Sequence, residues 1–338
     1  MSAGTAMIKI KHIINVLTAL YLSAFGLTGI ALAEPTKKLL YEQGPYQIFN
    51  EQALEVLNLK MPLQILASGY EWLEGPVWVN QGGYLLYSDI PNHQVYKYTP
   101  GKGVSLYLAQ SGYSNGLLVN AQNELVLLQS RSRVVSKMKA PLSAPKSDYL
   151  PIVSHFNGQK FNSPNDGAFN NKGTLYFSDP PYGLPKQLND ENKELSFQGV
   201  YSVKDTGEIT LLDDELIYPN GVALSNDNKI LYVAASNENK PAWYQYYLNS
   251  NGGVISKSLF YQLPPIAKHG KGLPDGLKVH KSGIIFATGP NGLWLFNKKA
   301  ELLAKITTPN MSANLAFNTQ QNRVYITAHT QLLALDLK

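Results

Sequence analysis

The stretch YPNGVALSNDNKILYVAAS, Tyr218–Ser236, decides the fold of this chain. Asn220 stands before Gly221 and opens an apolar run, Val222–Ser225. The polar triplet Asn226-Asp227-Asn228 follows. A second run, Ile230–Ser236, carries Ile230, Tyr232 and Val233, residues that favour strands. Two short apolar runs around an Asn/Asp-rich turn read as a β-hairpin. Trp243–Leu248 supplies a third strand.

The same pattern recurs outward in both directions. First strands are expected at Pro76–Val79, Leu117–Asn120, Ala168–Asn170, Leu277–His280 and Leu315–Asn318. Each runs into a Gly- or Asn/Gln-rich turn, such as Gln81-Gly82-Gly83 or Lys281-Ser282-Gly283, and then into two further strands. Outer strands are expected at Val104–Leu108, Ile209–Leu212, Ser258–Tyr261 and Leu302–Ile306. Six units spaced by about 40 to 55 residues match the period of a propeller blade. The expected fold is all-β: a six-bladed β-propeller of four-stranded antiparallel blades over residues 60–338. The sixth unit reaches Lys338 without an outer strand. Met61–Ala67 is expected to supply it, so that an N-terminal strand closes the ring and spares open edges. Residues 34–59 are expected as an irregular or short helical arm. Ala140–Lys160 and Pro181–Gln198 break the period as insertions, and the second, polar one can lie over one mouth of the channel.

Composition narrows the function. The chain of 338 residues contains no cysteine, which excludes disulfides and thiolate metal sites. Charged residues make up only 16%, whereas Tyr (21) and Gly (27) are abundant, as turn-rich β proteins require. Lys9 and Lys11 precede an apolar run from Ile13 to about Leu32, which ends in Ala31-Leu32-Ala33. A basic start, an apolar middle and an A-x-A site read as a secretory signal peptide, residues 1–33. The mature chain is then expected in a periplasm or outside the cell, with no stable membrane insertion. Removing that segment lowers the formal net charge from +5 to +3, because it holds two lysines and no acid. The densest basic stretch, Arg131–Lys139, alternates charged and apolar residues as a half-solvated strand does, so no nucleic-acid partner is expected.

The first strand of each propeller blade lines the central channel, and its first residues gather at one mouth. The residues placed there are Glu74, Asn115, Asn165, Asn220, Asp275 and Asn314. A lone Asn-Gly or Asp-Gly is a turn. Repeated at equivalent positions, such residues bring two carboxylates and several amide oxygens together, which is a hard-cation ligand set. Asp166 and Asp179 are candidates for alternative bases or structural turns, and His93 and His155 can face the same mouth. Gly112-Tyr113-Ser114-Asn115-Gly116 fits G-x-S-x-G, but a strand is expected after it where a nucleophile elbow needs a helix.

Several stretches carry a family resemblance. They are Glu74-Gly75-Pro76-Val77-Trp78, Ser88-Asp89-Ile90-Pro91-Asn92 and Asn162-Ser163-Pro164-Asn165-Asp166. Ser178-Asp179-Pro180-Pro181-Tyr182-Gly183, Tyr218–Ser225 and Pro274–Val279 complete the set. In this order the chain resembles the gluconolactonase/regucalcin (senescence marker protein 30) family of six-bladed propellers, and within it the bacterial gluconolactonase-like lactonases. The resemblance implies metal ligation by Glu74, Asn220 and Asp275, with Asn165 near both metal and substrate. It implies a catalytic role for Asp275 as general base, with water held on the metal as the alternative. Family members commonly carry an Arg where this chain has Lys160, which is expected to bind substrate without the planar fork. Tyr182 can pack against or hydrogen-bond the substrate.

The implied activity is metal-dependent hydrolysis of a lactone, a sugar lactone such as glucono-1,5-lactone first among them. Ca²⁺ is the favoured metal, with Mg²⁺, Mn²⁺ or Zn²⁺ able to substitute. Two alternatives stay open: hydrolysis of hydrophobic lactones or esters, favoured by aromatic residues at the channel mouth, and a metal-stabilised binding propeller without catalysis. The oligomeric state is not legible.

Overall fold

The computed structural model describes residues 38–266 and 270–338. The stretch read as a signal peptide lies outside the described residues. No helix among the described residues is long and apolar enough to cross a membrane.

The described chain begins with a hairpin, β1 (Tyr41–Gln43) and β2 (Tyr46–Ile48), and a 3-10 turn at Glu51–Glu55. The Asn50 side chain caps that turn by accepting from the Gln52 N–H. Strand β3 (Gln64–Ser68) follows. Six antiparallel blade sheets and one two-stranded hairpin then hold the remaining described strands.

Blade one is β4 (Leu73–Val79), β5 (Tyr84–Asp89), β6 (Gln94–Thr99) and β7 (Gly103–Leu108). Blade two is β8 (Ser114–Val119), β9 (Leu125–Gln129), β10 (Val134–Met138) and β11 (Tyr149–Val153), followed by a small hairpin, β12 (His155–Phe156) and β13 (Gln159–Lys160). Blade three is β14 (Gly167–Phe169), β15 (Leu175–Asp179), β16 (Gly199–Val203) and β17 (Ile209–Asp213). Blade four is β18 (Pro219–Leu224), β19 (Ile230–Ala235), β20 (Ala242–Leu248) and β21 (Val254–Gln262). Blade five is β22 (Leu277–Val279), β23 (Ile285–Gly289), β24 (Gly292–Phe296) and β25 (Leu302–Thr307). Blade six is β26 (Asn314–Phe317), β27 (Arg323–Ala328) and β28 (Gln331–Asp336), with β3 paired to β28 as its outer strand. The expected all-β six-bladed propeller is the observed fold, and the β3–β28 pairing fits closure by an N-terminal strand.

Each blade hides its faces against its neighbours, and the buried apolar side chains fall into six clusters, one per junction. Leu73, Leu85 and Tyr87 of blade one meet Tyr325, Leu332 and Ala334 of blade six. Trp78 stacks on Tyr325 at 5.4 Å, and its indole N–H donates to Thr319 Oγ1. Alternation along each strand explains the clusters, since every second side chain points to one junction.

Two expectations need correction. Ala140–Lys160 is not an insertion alone, because it contains the outer strand β11 of blade two. Pro151 sits in that strand, where a residue without an N–H is tolerated because β11 is the edge strand of its sheet among the described residues. The described part of the expected arm, residues 38–59, holds a hairpin beside its short 3-10 turn: β2 pairs with β25 and extends blade five to six strands. Tyr46 and Ile48 alternate inward and are fully buried at the junction of blades five and six. Lys37–Lys338 accordingly forms one compact unit.

Candidate metal and catalytic centre

The inner strands deliver their side chains to one mouth through irregular pairing. Register shifts between Glu74 and Val77, Ser114 and Leu117, and Pro219 and Val222 mark bulges at the start of β4, β8 and β18. A bulge frees residues from the ladder and re-aims their side chains. The residues re-aimed here include Glu74, Asn115 and Asn220.

The glycines that follow them are not mere turn formers. A Cβ on Gly221 would lie 2.1 Å from the Asp275 carbonyl oxygen, and one on Gly75 would lie 2.0 Å from that of Asn115. The backbones of neighbouring inner strands touch at these points. Gly116 and Gly276 donate their N–H groups to the Asn165 and Ala313 carbonyls, both at 2.7 Å. This contact is what brings oxygens from separate blades into one cluster.

Hydroxyls at the ends of the second strands tie blades one, two, four and five each to the next. Ser88 Oγ donates to the Asn115 carbonyl (2.9 Å) and Ser130 Oγ to that of Pro164 (2.8 Å). Ser236 Oγ donates to the Pro274 carbonyl (2.6 Å), and Thr288 Oγ1 lies 2.8 Å from that of Ala313. Each contributes on the order of 1 kcal/mol and spares a buried carbonyl. Two carboxylates hold the segments just upstream of the site. Asp89 accepts from the Trp72 N–H at 3.1 Å; Asp179 accepts from those of Asn162 (2.8 Å) and Ser163 (2.7 Å). Asp179 is thereby committed to the backbone rather than to chemistry.

Glu74, Asn115, Asn165, Asn220, Asp275 and Tyr182 line one cavity of about 480 Å³. Asn115 Oδ1, Asn220 Oδ1 and Asp275 Oδ1 are shielded from solvent, and no protein donor reaches any of them. Stranding buried acceptors is costly. Three of them facing one cavity, beside the Glu74 carboxylate, fit a cation that takes oxygen ligands. No group of three or more His, Cys, Asp or Glu among the described residues is arranged to hold a metal, so amide oxygens are essential to such a set.

Electrostatics point the same way. Burial pushes the Glu74 carboxyl up to about 7, and the nearby Asp166 adds to the rise, against the Gly75 N–H, Lys278 and the Trp72 side chain. Asp275 is raised well above the carboxylate range by burial, then by Glu74 and Asp166. Like charges crowd a buried space, and a divalent cation would neutralise them. Asp166 lies apart from the cavity lining. Its Oδ2 accepts from the Val222 N–H (3.1 Å) and faces Lys278 Nζ at 3.4 Å.

Other expected residues lie elsewhere. Asn314 Oδ1 accepts from its neighbour's N–H, at Leu315 (2.8 Å), and from Lys278 (3.4 Å), and Asn314 does not line the cavity. Lys160 sits on β13, where its main chain is held by Glu194 and Arg133; it too is absent from the lining, which does not support the substrate contact expected of it. His93 Nδ1 accepts from the Tyr113 N–H, and His155 is exposed beside Ser154. Ser114 begins a strand and pairs with Ser88, so no nucleophile elbow forms. From Pro181–Gln198 only Tyr182 reaches the cavity. Cations of the Arg131–Lys139 stretch are engaged locally, Lys137 with Glu124 and Lys139 with Asp148.

Residues 72–330 match the family model described as the SMP-30/gluconolactonase/LRE-like region. The chain belongs to this family. It is 32% identical over 329 residues to a gluconolactonase of Zymomonas mobilis, covering 92% of this chain and 91% of that protein. Among solved structures, a gluconolactonase from Xanthomonas campestris superposes with a TM-score of 0.78 at 27% identity, covering 89% of this chain and all of that one. A regucalcin from Agrobacterium tumefaciens shares the fold at 15% identity, with a TM-score of 0.67 over 82% of this chain and 95% of its own. As a member of the gluconolactonase-like family, the chain is a lactonase, a hydrolase of cyclic esters.

Proposed function

We propose that this protein hydrolyses a lactone at a divalent-cation centre held by Glu74, Asn165, Asn220 and Asp275, with Asn115 as a further oxygen donor. The observation that carries this reading is the trio of donor-free, solvent-shielded oxygens on Asn115, Asn220 and Asp275 around one cavity. When bound there, a divalent cation, Ca²⁺ by the all-oxygen set, polarises the lactone carbonyl and offsets the carboxylate charges.

The chain's own groups do the rest. Asp275 faces the cavity with a free Oδ1 and accepts a proton from the attacking water. The water oxygen bonds to the carbonyl carbon, the ring C–O bond breaks, and the ring oxygen takes up a proton to give a hydroxy acid. Tyr182 stacks on Tyr218 at 5.6 Å and hydrogen-bonds Ser236 and Asn220, which fixes its ring beside the substrate space. Burial holds its hydroxyl protonated, so it is not a base.

Glucono-1,5-lactone is the first substrate to test, because the relatives are gluconolactonases. The signal-peptide reading places the reaction in a periplasm or outside the cell. Acid release from gluconolactone and other lactones is to be followed with EDTA and then with Ca²⁺ restored. Turnover lost to EDTA and recovered with Ca²⁺ is expected. Turnover indifferent to chelation would remove the cation from the reading.

A further inference from the structure

The cavity has two unlike halves. Its floor is the polar cluster just described. Its upper wall is built by Trp72, Ile90, Ile266, Leu273 and Met311, each partly exposed to the cavity.

The hydroxyl protons of the serines along that wall are already spent. Ser236 Oγ donates to the Pro274 carbonyl (2.6 Å) and accepts from Asn220 Nδ2 (3.0 Å). Ser312 Oγ lies 3.0 Å from Thr308 Oγ1, whose own proton goes to the Asn310 carbonyl (2.8 Å), so Ser312 must donate. The Trp72 side chain donates toward Glu74, and the Tyr182 hydroxyl bonds Ser236 and Asn220. Among the described lining side chains above the floor, Ser236 and Ser312 keep only acceptor lone pairs, and Glu238 is the one carboxylate left to meet a substrate hydroxyl.

A polyol lactone carries hydroxyls over most of its ring. Against this wall most of them would lose water without gaining a partner, which costs affinity. A volume of about 480 Å³ also leaves room beyond a single small ring.

We infer that the substrate class of this site extends to lactones bearing an apolar substituent, an alkyl chain or an aromatic ring. The lactone head reaches the polar floor while the substituent lies on Trp72, Leu273 and Met311. This inference rests on the lactonase reading above and specifies its substrate. The wall discriminates by burying hydrocarbon, so the chain attached to the ring is what it measures.

The test uses a δ-lactone series, unsubstituted and with alkyl chains of increasing length, beside glucono-1,5-lactone, all with Ca²⁺. Each methylene that becomes buried should raise kcat/KM by about threefold to fourfold. Leu273→Ser and Met311→Ser should each flatten that dependence, read as the ratio of long-chain to short-chain kcat/KM within one variant. That ratio is insensitive to the fraction of enzyme folded. A flat series with gluconolactone preferred would overturn the inference and leave the lactonase reading intact. No turnover of any lactone by the folded, Ca²⁺-supplied protein would overturn both.

Discussion

Replacing Gly221 by Ala tests whether contact between neighbouring backbones sets the spacing of the site. The new methyl would lie 2.1 Å from the Asp275 carbonyl oxygen, 2.7 Å from Gly276 Cα and 2.8 Å from the Asp275 carbonyl carbon. All three are main-chain atoms, so no side chain can swing away. Regaining even a 3.0 Å contact requires the inner strands of blades four and five to part by about 0.9 Å. Overpacking of this kind costs about 3 kcal/mol or more. With unfolding entropy near 0.6 kcal/mol/K for about 300 ordered residues, the melting temperature should fall by about 5 °C. The same parting separates the oxygens of Asn220 and Asp275 by much more than the ~0.3 Å range of Ca–O distances. Ca²⁺ affinity should therefore drop at least tenfold, removing about 1.4 kcal/mol, or about 2 °C, from the Ca²⁺-induced rise in melting temperature. Thermal unfolding with and without Ca²⁺ reads both effects. A variant that melts like the wild type and answers Ca²⁺ equally would refute the reasoning. A lower melting temperature with an unchanged Ca²⁺ response would confine the glycine to packing.

Three further outcomes are expected. Asp275→Asn should lose turnover by about 100-fold or more, yet raise the melting temperature of the metal-free protein by relieving repulsion with Glu74 and Asp166; lactone hydrolysis near the wild-type rate would remove Asp275 as the base. Burial raises Glu74 in the metal-free fold from 4.5 to about 7, so the stability this group contributes is full below pH 4.5 and fades as pH climbs through about 7, by about 3 kcal/mol. Cation binding needs the ionised form, so the Ca²⁺-induced rise in melting temperature should grow between pH 5 and pH 8, with proton release on binding; a pH-independent rise in calorimetry or melting would contradict this. Ser236→Ala strips the Pro274 carbonyl and Asn220 Nδ2 of a partner and should cost about 1 to 3 kcal/mol together with Ca²⁺ affinity; an unchanged Ca²⁺ titration would show that Asn220 is held by other contacts.

The blade pattern was legible because each hairpin announces itself locally, by alternation and by turns such as Asn226-Asp227-Asn228. Strand β11 was hidden because Leu150-Pro151-Ile152 is a short apolar run broken by proline among polar residues. The arm's hairpin was hidden because Tyr46 and Ile48 gain their burial from blades five and six, far away in sequence. At the site, Glu74, Asn165, Asn220 and Asp275 are brought together where equivalent repeat positions predict. Repeat position places Asn115 and Asn314 at the same mouth, and only the structure separates them: Asn115 Oδ1 is left without a donor, whereas Asn314 Oδ1 is engaged by Leu315 and Lys278. The hydroxyls did leave a trace: Ser88, Ser130, Ser178, Ser236, Thr288 and Thr327 stand near the end of every second strand, although Ser178 and Thr327 bond within their own blades. Lys160, close in sequence to Asn165, stands on the small hairpin and not in the lining of the cavity.

The pairing of β3 with β28 governs the order in which this molecule can be assembled. Gln64 and Asp336, bonded across these strands, stand 272 residues apart. During synthesis β3 emerges long before its partner and waits, with Ile65 exposed even in the finished fold, until β28 has appeared. Contacts so remote slow folding and leave an unpaired edge open to other chains meanwhile. Loss of the final strand removes β28, the partner of β3, and the Leu332 and Ala334 side chains that join blade six to blade one. A circular permutant that places β3 directly after β28 would turn this distant pairing into a neighbouring one. Such a chain should fold faster and form the same cavity.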